Sequence, residues 1–203
     1  MKSFYYVIQT LLHSRGSNLI KIISLTLGIT VSILIFARQA FEFNYDTCYK
    51  DHERLYVVKS IWDIGDKHME AHITMGPVAG AIADAFPEEV ESATVTQQWW
   101  RNSGWYRDNN RFTCHAMTGD SCFFSTIGIP LVTGNPNELI NPDVLFISRS
   151  MAREAFAEQD PIGQTLTLSR QLPMTVKGVF EDFPENSSFY GVRIVMSLSL
   201  IHI

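Results

Sequence analysis

Three side chains at two-residue spacing, His68, Glu70 and His72 in the stretch KHMEAHI, are of the types that could hold a metal ion or move a proton. A zinc-protease helix requires its glutamate directly after the first histidine and both histidines on one helical face. Glu70 instead stands two positions after His68, and the neighbouring residues favour extended backbone, where all three would share one face of a strand turned to solvent. A polar strand face is therefore expected, with an anchored metalloenzyme as the competing reading. Cys48, Cys114 and Cys122 are odd in number and match no zinc spacing. They read as small buried residues, with a Cys114–Cys122 bridge as the alternative in an oxidising compartment. No G-x-x-x-x-G-K-[ST] loop is present to cradle a nucleotide's phosphates, and no G-x-S-x-G turn to raise a nucleophile. No catalytic, cofactor-binding or metal-ligating residue is assigned, and the chain is read as a non-enzyme. Trp99, Trp100 and Trp105 gather around one expected hairpin and are candidate partner contacts, core packing being the other common fate of tryptophan.

The elements that would position these residues divide into two textures. From Asn18 to Phe41 the chain reads NLIKIISLTLGITVSILIFARQAF, with Lys21 its only charge before Arg38. About 20 apolar or small residues, rising ~1.5 Å each, cross a hydrocarbon core of about 30 Å. Ser24, Thr26, Gly28, Thr30 and Ser32 suit a helix packed on other helices in the membrane. Small residues spaced for signal-peptide cleavage are lacking after Phe36, so the span is read as an uncleaved anchor over 18–43 that extends into a stalk. Ahead of it, Phe4, Val7, Ile8, Leu11 and Leu12 recur at helical spacing, which predicts an amphipathic helix within 1–17. Basic residues flank the span on both sides, so charge alone does not orient it.

Beyond the span the chain is globular in texture, and the net charge of −5 gives no basic footprint for nucleic acid. Strands are predicted over Arg54 to Trp62, in DVLFIS, in QTLTL and in MTVKGVF, and helices in GPVAGAIADAFPEEV and in RSMAREAFAEQ, the latter capped by Ser148. SATVTQQWWRNSGWYRDNNRFTCHAM alternates and is interrupted at Asn102-Ser103-Gly104 and at Asp108-Asn109-Asn110, which predicts hairpins. Strands and helices without regular alternation indicate an α+β domain following one transmembrane helix.

These segments, in order, resemble the MacB/FtsX-like ABC transporter permeases. The resemblance rests on a Tyr-Asp pair after the span (Tyr45, Asp46), an Arg-x-Tyr strand start (Arg54, Tyr56), Gly134 with Leu139, a Ser-x-x-x-Ala helix start (Ser148), and Asp-Pro-Ile-Gly (Asp160, Pro161, Gly163). It ends on a Gly-Val strand leading to Asp-x-Pro-x-Asn-Ser (Gly178, Asp182, Pro184, Asn186, Ser187). Two departures, Ala157 for a usual glycine and Tyr-Val-Val for Tyr-Arg-Val, touch turn or strand surface.

The resemblance implies a bacterial inner-membrane protein with a cytoplasmic N-terminus and a MacB-like periplasmic core domain over 44–197, incomplete at its C-terminus. It implies a cytoplasmic ABC ATPase that binds the ATP, no cofactor on this chain, a second permease copy or half, a periplasmic adaptor or lipoprotein, and contact with membrane lipid. Nucleic acid is not among the partners. A membrane-anchored sensor or adaptor module is the alternative. Leu198–Ile203 are residues that one frame of a transposon-end sequencing adapter encodes, so 198–203 is expected to be a non-native tail.

Overall fold

The computed structural model describes residues 6, 9, 17–65 and 67–199. The amphipathic helix expected within 1–17 and the end of the tail, 200–203, lie outside the described residues, apart from Tyr6, Gln9 and Ser17. The chain forms two compact units that divide between Tyr45 and Asp46.

The first unit is helix α1, Ser17–Phe43, of 27 residues. Within its stretch Asn18–Phe43 an 18-residue window reaches a mean hydropathy of 2.3, with none of that window buried, and the helix is long and apolar enough to cross a membrane. Its hydroxyls do not break that character. Thr30 Oγ1 donates to Thr26 O at 2.8 Å and Ser32 Oγ to Gly28 O at 2.9 Å, so these two hydroxyls are satisfied within the helix. Near the C-terminal end Arg38 and Glu42 form an i,i+4 ion pair.

The second unit is a sheet domain. A 3₁₀ turn, His52–Arg54, leads to a two-stranded ribbon of β1 (Ser60–Ile64) and β2 (Lys67–Ala71). Helix α2 (Val78–Ala85) follows, with Pro77 at its N-cap and its end just before Phe86-Pro87. Then come β3 (Thr96–Arg107), β4 (Asn110–Gly119), α3 (Phe123–Ile127), β5 (Leu131–Gly134) and a 3₁₀ turn over Pro136–Ile140. The remainder is β6 (Val144–Ser148), α4 (Arg149–Phe156), β7 (Thr165–Leu168), β8 (Leu172–Phe180) and β9 (Val192–Ser197).

Seven of these strands form one mixed sheet in the order β5-β8-β6-β9-β4-β3-β7, and β7 also pairs with β8. Because β7 touches both β3 (Trp105↔Leu168) and β8 (Leu166↔Met174), the sheet rolls until it closes on itself. Side-chain alternation then fills two cores. Leu145 and Ile147 of β6, Ile194 and Met196 of β9, Trp105 and Met174 face one core with Phe156 of α4. Val144 and Phe146 of β6, Val195 of β9, Met117 and Phe180 face the other, against Phe123 and Phe124 of α3. A strand buried on both faces reads as an unbroken apolar run, which is why DVLFIS has no polar alternation.

Two expected elements differ. The strand predicted over Arg54 to Trp62 forms only from Ser60, because residues 55–59 have no neighbouring strand to pair with. Asn102-Ser103-Gly104 is no turn but the middle of β3. Its polar residue is satisfied across the ladder: Ser103 Oγ donates to Cys114 O at 2.9 Å and accepts from Trp105 Nε1 at 2.8 Å. The single turn of this hairpin is at Asp108, which takes a left-handed φ of 52°.

Candidate functional site

The family-type residues fall into three groups, the first of which joins the start of the sheet domain to the loop before β9. Asp46 adopts φ 58°, a conformation that aspartate tolerates better than most L residues. Its carboxylate accepts from Ser188 N at 2.6 Å and from Ser188 Oγ at 2.5 Å, while its own N–H donates to Asn186 O at 2.7 Å. One turn later, the Tyr49 hydroxyl meets Ser187 Oγ at 2.6 Å, and its ring lies edge-on to Phe189 at 6.2 Å. Phe189 in turn contacts Phe123 and Phe183, so this latch is continuous with the second core. Tyr45 belongs to the first unit, where its ring meets Phe41 edge-on.

The second group sets the start of α4. Ser148 caps the helix by accepting from Met151 N at 3.2 Å. Asp182, on the loop after β8, accepts from Ser150 N at 2.9 Å and Ser150 Oγ at 2.5 Å, placing a negative charge at the helix N-terminus. Arg149 pairs with Glu181 at 2.6 Å. Pro184 follows Phe183, which is buried in the second core, and separates this cap from the latch.

The third group is steric. Gly134 (φ 107°) pairs with Gly178 across β5 and β8, and a Cβ on Gly134 would stand 2.5 Å from Lys177 O and 2.6 Å from Gly178 Cα. A Cβ on Gly178 would stand 2.1 Å from Phe146 Cε1. Only glycine allows the backbones and the buried Phe146 ring to approach this closely. Leu139 is buried beneath the 3₁₀ turn that follows Gly134. In the Asp160–Gly163 turn, Asp160 Oδ1 accepts from Ile162 N at 3.0 Å, and Gly163, at φ 79°, donates its N–H to Val176 O at 2.8 Å.

The remaining predicted residues do not converge on a site. Arg54 pairs with Glu91 at 2.9 Å on the surface, and Tyr56 is 86% exposed. Tyr56, Val58, Trp62, Met69 and Ile73 leave an apolar strip on and beside the β1–β2 ribbon. On the other face, His68 pairs with Asp63 and Glu70 with Lys59 at 2.6 Å, an ammonium that holds the Glu70 carboxyl below its usual range. Trp105 is fully buried with its N–H satisfied, which makes it a core residue rather than a partner contact. Trp99 and Trp100 lie on the same strand, but their side chains are outside the described residues. Cys114 is buried as expected, whereas Cys48 and Cys122 are exposed, and all three are free thiols.

The titratable groups beside the latch are held in their neutral forms. Partial desolvation raises the Cys48 thiol even though the residue is exposed, and burial pushes the Tyr49 phenol far above its ordinary value, so neither ionises near neutrality. Burial likewise pushes Cys114 up to about 11. Sequence reasoning missed Tyr49, Ser150 and Ser188 as the partners that complete these contacts. Asp46 and Ser188 are 142 residues apart, and no local spacing signals such a pair.

Comparison with known proteins places this architecture. Residues 19–203 match the MacB-like periplasmic core domain. A domain assigned to a permease of Porphyromonas gingivalis is 26% identical, with a TM-score of 0.57 over 68% of this chain and 57% of that one. The periplasmic region of MacB from Actinobacillus actinomycetemcomitans is 17% identical, with a TM-score of 0.48 over 61% and 54%. The extracellular domain of the ABC-type transporter YknZ from Gram-positive bacteria is 14% identical, with a TM-score of 0.42 over 52% and 55%. The chain thus spans little more than half the length of each of these structures. A comparison with curated proteins gives no match. With the family match covering all but the first 18 residues, this chain belongs to the MacB-like periplasmic core domain family of ABC-type transporter permeases.

Proposed function

We infer that the chain is part of the transmembrane subunit of an ABC transporter that works by mechanotransmission. A separate cytoplasmic ATPase binds and hydrolyses ATP, its closure shifts the spans, and α1 carries that movement to the sheet domain outside. The observation that carries this reading is an unbroken apolar helix from Ser17 to Phe43, followed after Asn44 and Tyr45 by a residue pinned through three hydrogen bonds to the loop before β9. A stiff rod transmits displacement only when the chain leaving it is fixed to the body it moves. On this reading the N-terminus is cytoplasmic, the sheet domain is periplasmic, and the span packs on lipid and on a second permease copy or half. The chain itself holds no cofactor and performs no chemistry. An adaptor, a lipoprotein or an exported peptide meets the outer domain.

Two measurements test it. Alkaline phosphatase fused after Ser199 should be active in cells and green fluorescent protein at the same point dark; the reverse pattern would place the domain in the cytosol and refute the reading. The native protein, tagged and isolated from membranes, should bring down an ABC ATPase whose ATP hydrolysis responds to Asp46→Ala. Isolation without any ATPase would refute the coupling.

A further inference from the structure

Between the β3–β4 hairpin and the β7–β8 turn lies an open cleft of about 580 Å³. Its floor is Gly104, and because this residue has no side chain, Arg111 reaches across it: Nε lies 3.3 Å and Nη2 3.6 Å from where a Cβ would stand. The Tyr106 ring borders the same point, with Cε2 at 3.6 Å. Against the same ring, at the rim rather than in the lining of the cleft, lies a second guanidinium, Arg170, whose Cζ is 4.7 Å from the ring centroid.

Arg170 is presented by the tight turn of the β7–β8 hairpin. Ser169 and Arg170, neither of them glycine, take consecutive left-handed φ values of 52° and 61° in the β7–β8 connection. Ser169 N donates to Gly104 O at 2.9 Å, which ties the turn to the cleft floor. Positive φ at both central positions is the usual pattern of a tight β-hairpin turn, closed here by Gln171 N donating to Leu168 O at 3.0 Å.

The lining is one-sided in charge. Asn102, Tyr106, Arg111, Ser169 and Gln171 contribute amides, hydroxyls and a guanidinium, and no carboxylate lines the cleft. Among the described residues, neither Arg111 nor Arg170 forms an ion pair, whereas Arg38, Arg54, Arg149 and Arg193 do. Asp108 in the neighbouring turn pairs with neither. The chain as a whole carries −5, so two unpaired guanidinium groups around one ring are a local exception on an acidic protein.

We propose that this cleft receives an acidic segment of a protein partner, with Arg111 engaging a carboxylate over Gly104 and Arg170, stacked on Tyr106 at the rim, engaging a second. Guanidinium N–H groups match the two oxygens of a carboxylate, and the Asn102 and Gln171 amides supply further donors at the rim. The cleft is open along the hairpin and far larger than one carboxylate, which fits side chains presented on a peptide better than a free small anion. The proposal goes beyond the transport reading and stands whether or not an ATPase acts on the chain.

The test uses the full chain in nanodiscs and a hexaglutamate peptide bearing an uncharged fluorophore, read by anisotropy at low salt. Binding should occur, weaken as salt rises, and be absent for the hexaglutamine peptide. R111Q/R170Q should weaken it about tenfold, and R170Q alone, at an exposed turn, by a few-fold. R149Q, whose arginine pairs with Glu181 elsewhere, should leave it unchanged. Equal affinity in R170Q and the unaltered chain would overturn the proposal. So would equal binding of hexaglutamine, or displacement by free glutarate at the peptide's own concentration, which would make the cleft a small-anion site.

Discussion

Replacing Asp46 tests the latch between the start of the sheet domain and the loop before β9, and the structure fixes what each replacement should remove. Asp46→Ala deletes the acceptors for Ser188 N and Ser188 Oγ, at 2.6 Å and 2.5 Å, and leaves alanine at φ 58°. Hydrogen bonds to a charged group contribute about 1.5–3 kcal/mol each when buried. Asp46 is half-buried, so water replaces part of that, and about 1 kcal/mol per bond is the better figure. A left-handed alanine adds about 1 kcal/mol. Asp46→Ala should therefore destabilise the sheet domain by about 3 kcal/mol. Asp46→Gly, which loses the same bonds without the backbone strain, should cost about 2 kcal/mol. Asp46→Asn keeps one acceptor oxygen and tolerates the conformation, so about 1 kcal/mol is expected. Urea unfolding followed by tryptophan fluorescence reads these differences, Trp105 being the buried reporter. If alanine and glycine destabilise equally, the backbone argument fails. If alanine lies within about 0.5 kcal/mol of the unaltered chain, the latch contributes nothing and the joint is elsewhere.

Gly178→Ala should destabilise by about 3 kcal/mol, because its Cβ would stand 2.1 Å from the ring of fully buried Phe146 and the strand must move; the double variant Gly178→Ala/Phe146→Leu should recover part of the loss, and an unchanged urea midpoint for Gly178→Ala alone would refute the packing account. Cys114 predicts an alkaline effect. Its folded pKa is raised from 9.0 to about 11, so between those values the unfolded chain releases a proton that the folded chain keeps. The stability contribution is complete below about pH 9 and falls as pH rises to about 11, by about 3 kcal/mol at ~1.4 kcal/mol per unit. Cys114→Ala should flatten the stability–pH curve in that window relative to the unaltered chain, and parallel curves would show that the thiol is not desolvated.

How much was legible in the sequence varied with the range of the interaction. The span could be read from α1 alone, since burial in lipid acts on each residue independently of any partner. Ser148 as a cap and Asp160–Gly163 as a turn were legible because the Ser148–Met151 and Asp160–Ile162 hydrogen bonds close within three residues. DVLFIS was legible as a strand through its β-branched run. The reading of Asn102-Ser103-Gly104 as a turn failed because local polarity was taken as loop signal, when the neighbouring strand satisfies Ser103 through Cys114 O. The strand placed from Arg54 failed in the opposite way: propensity favoured extension, but residues 55–59 have no strand beside them. The tryptophan cluster was ambiguous from sequence, and only the packed sheet puts Trp105 in the core.

By itself, then, the sequence determined that a greasy helix precedes an α+β domain and that particular glycines, aspartates and serines recur in a family order. Tertiary structure decided what those residues are for. Asp46 finds Ser188, Asp182 finds Ser150, and Gly134 meets Gly178 beneath Phe146 only once the sheet has rolled and closed. The physical reason is range: helix, cap and turn energies are set within a few residues of chain, whereas latches and close approaches depend on which distant strands lie side by side.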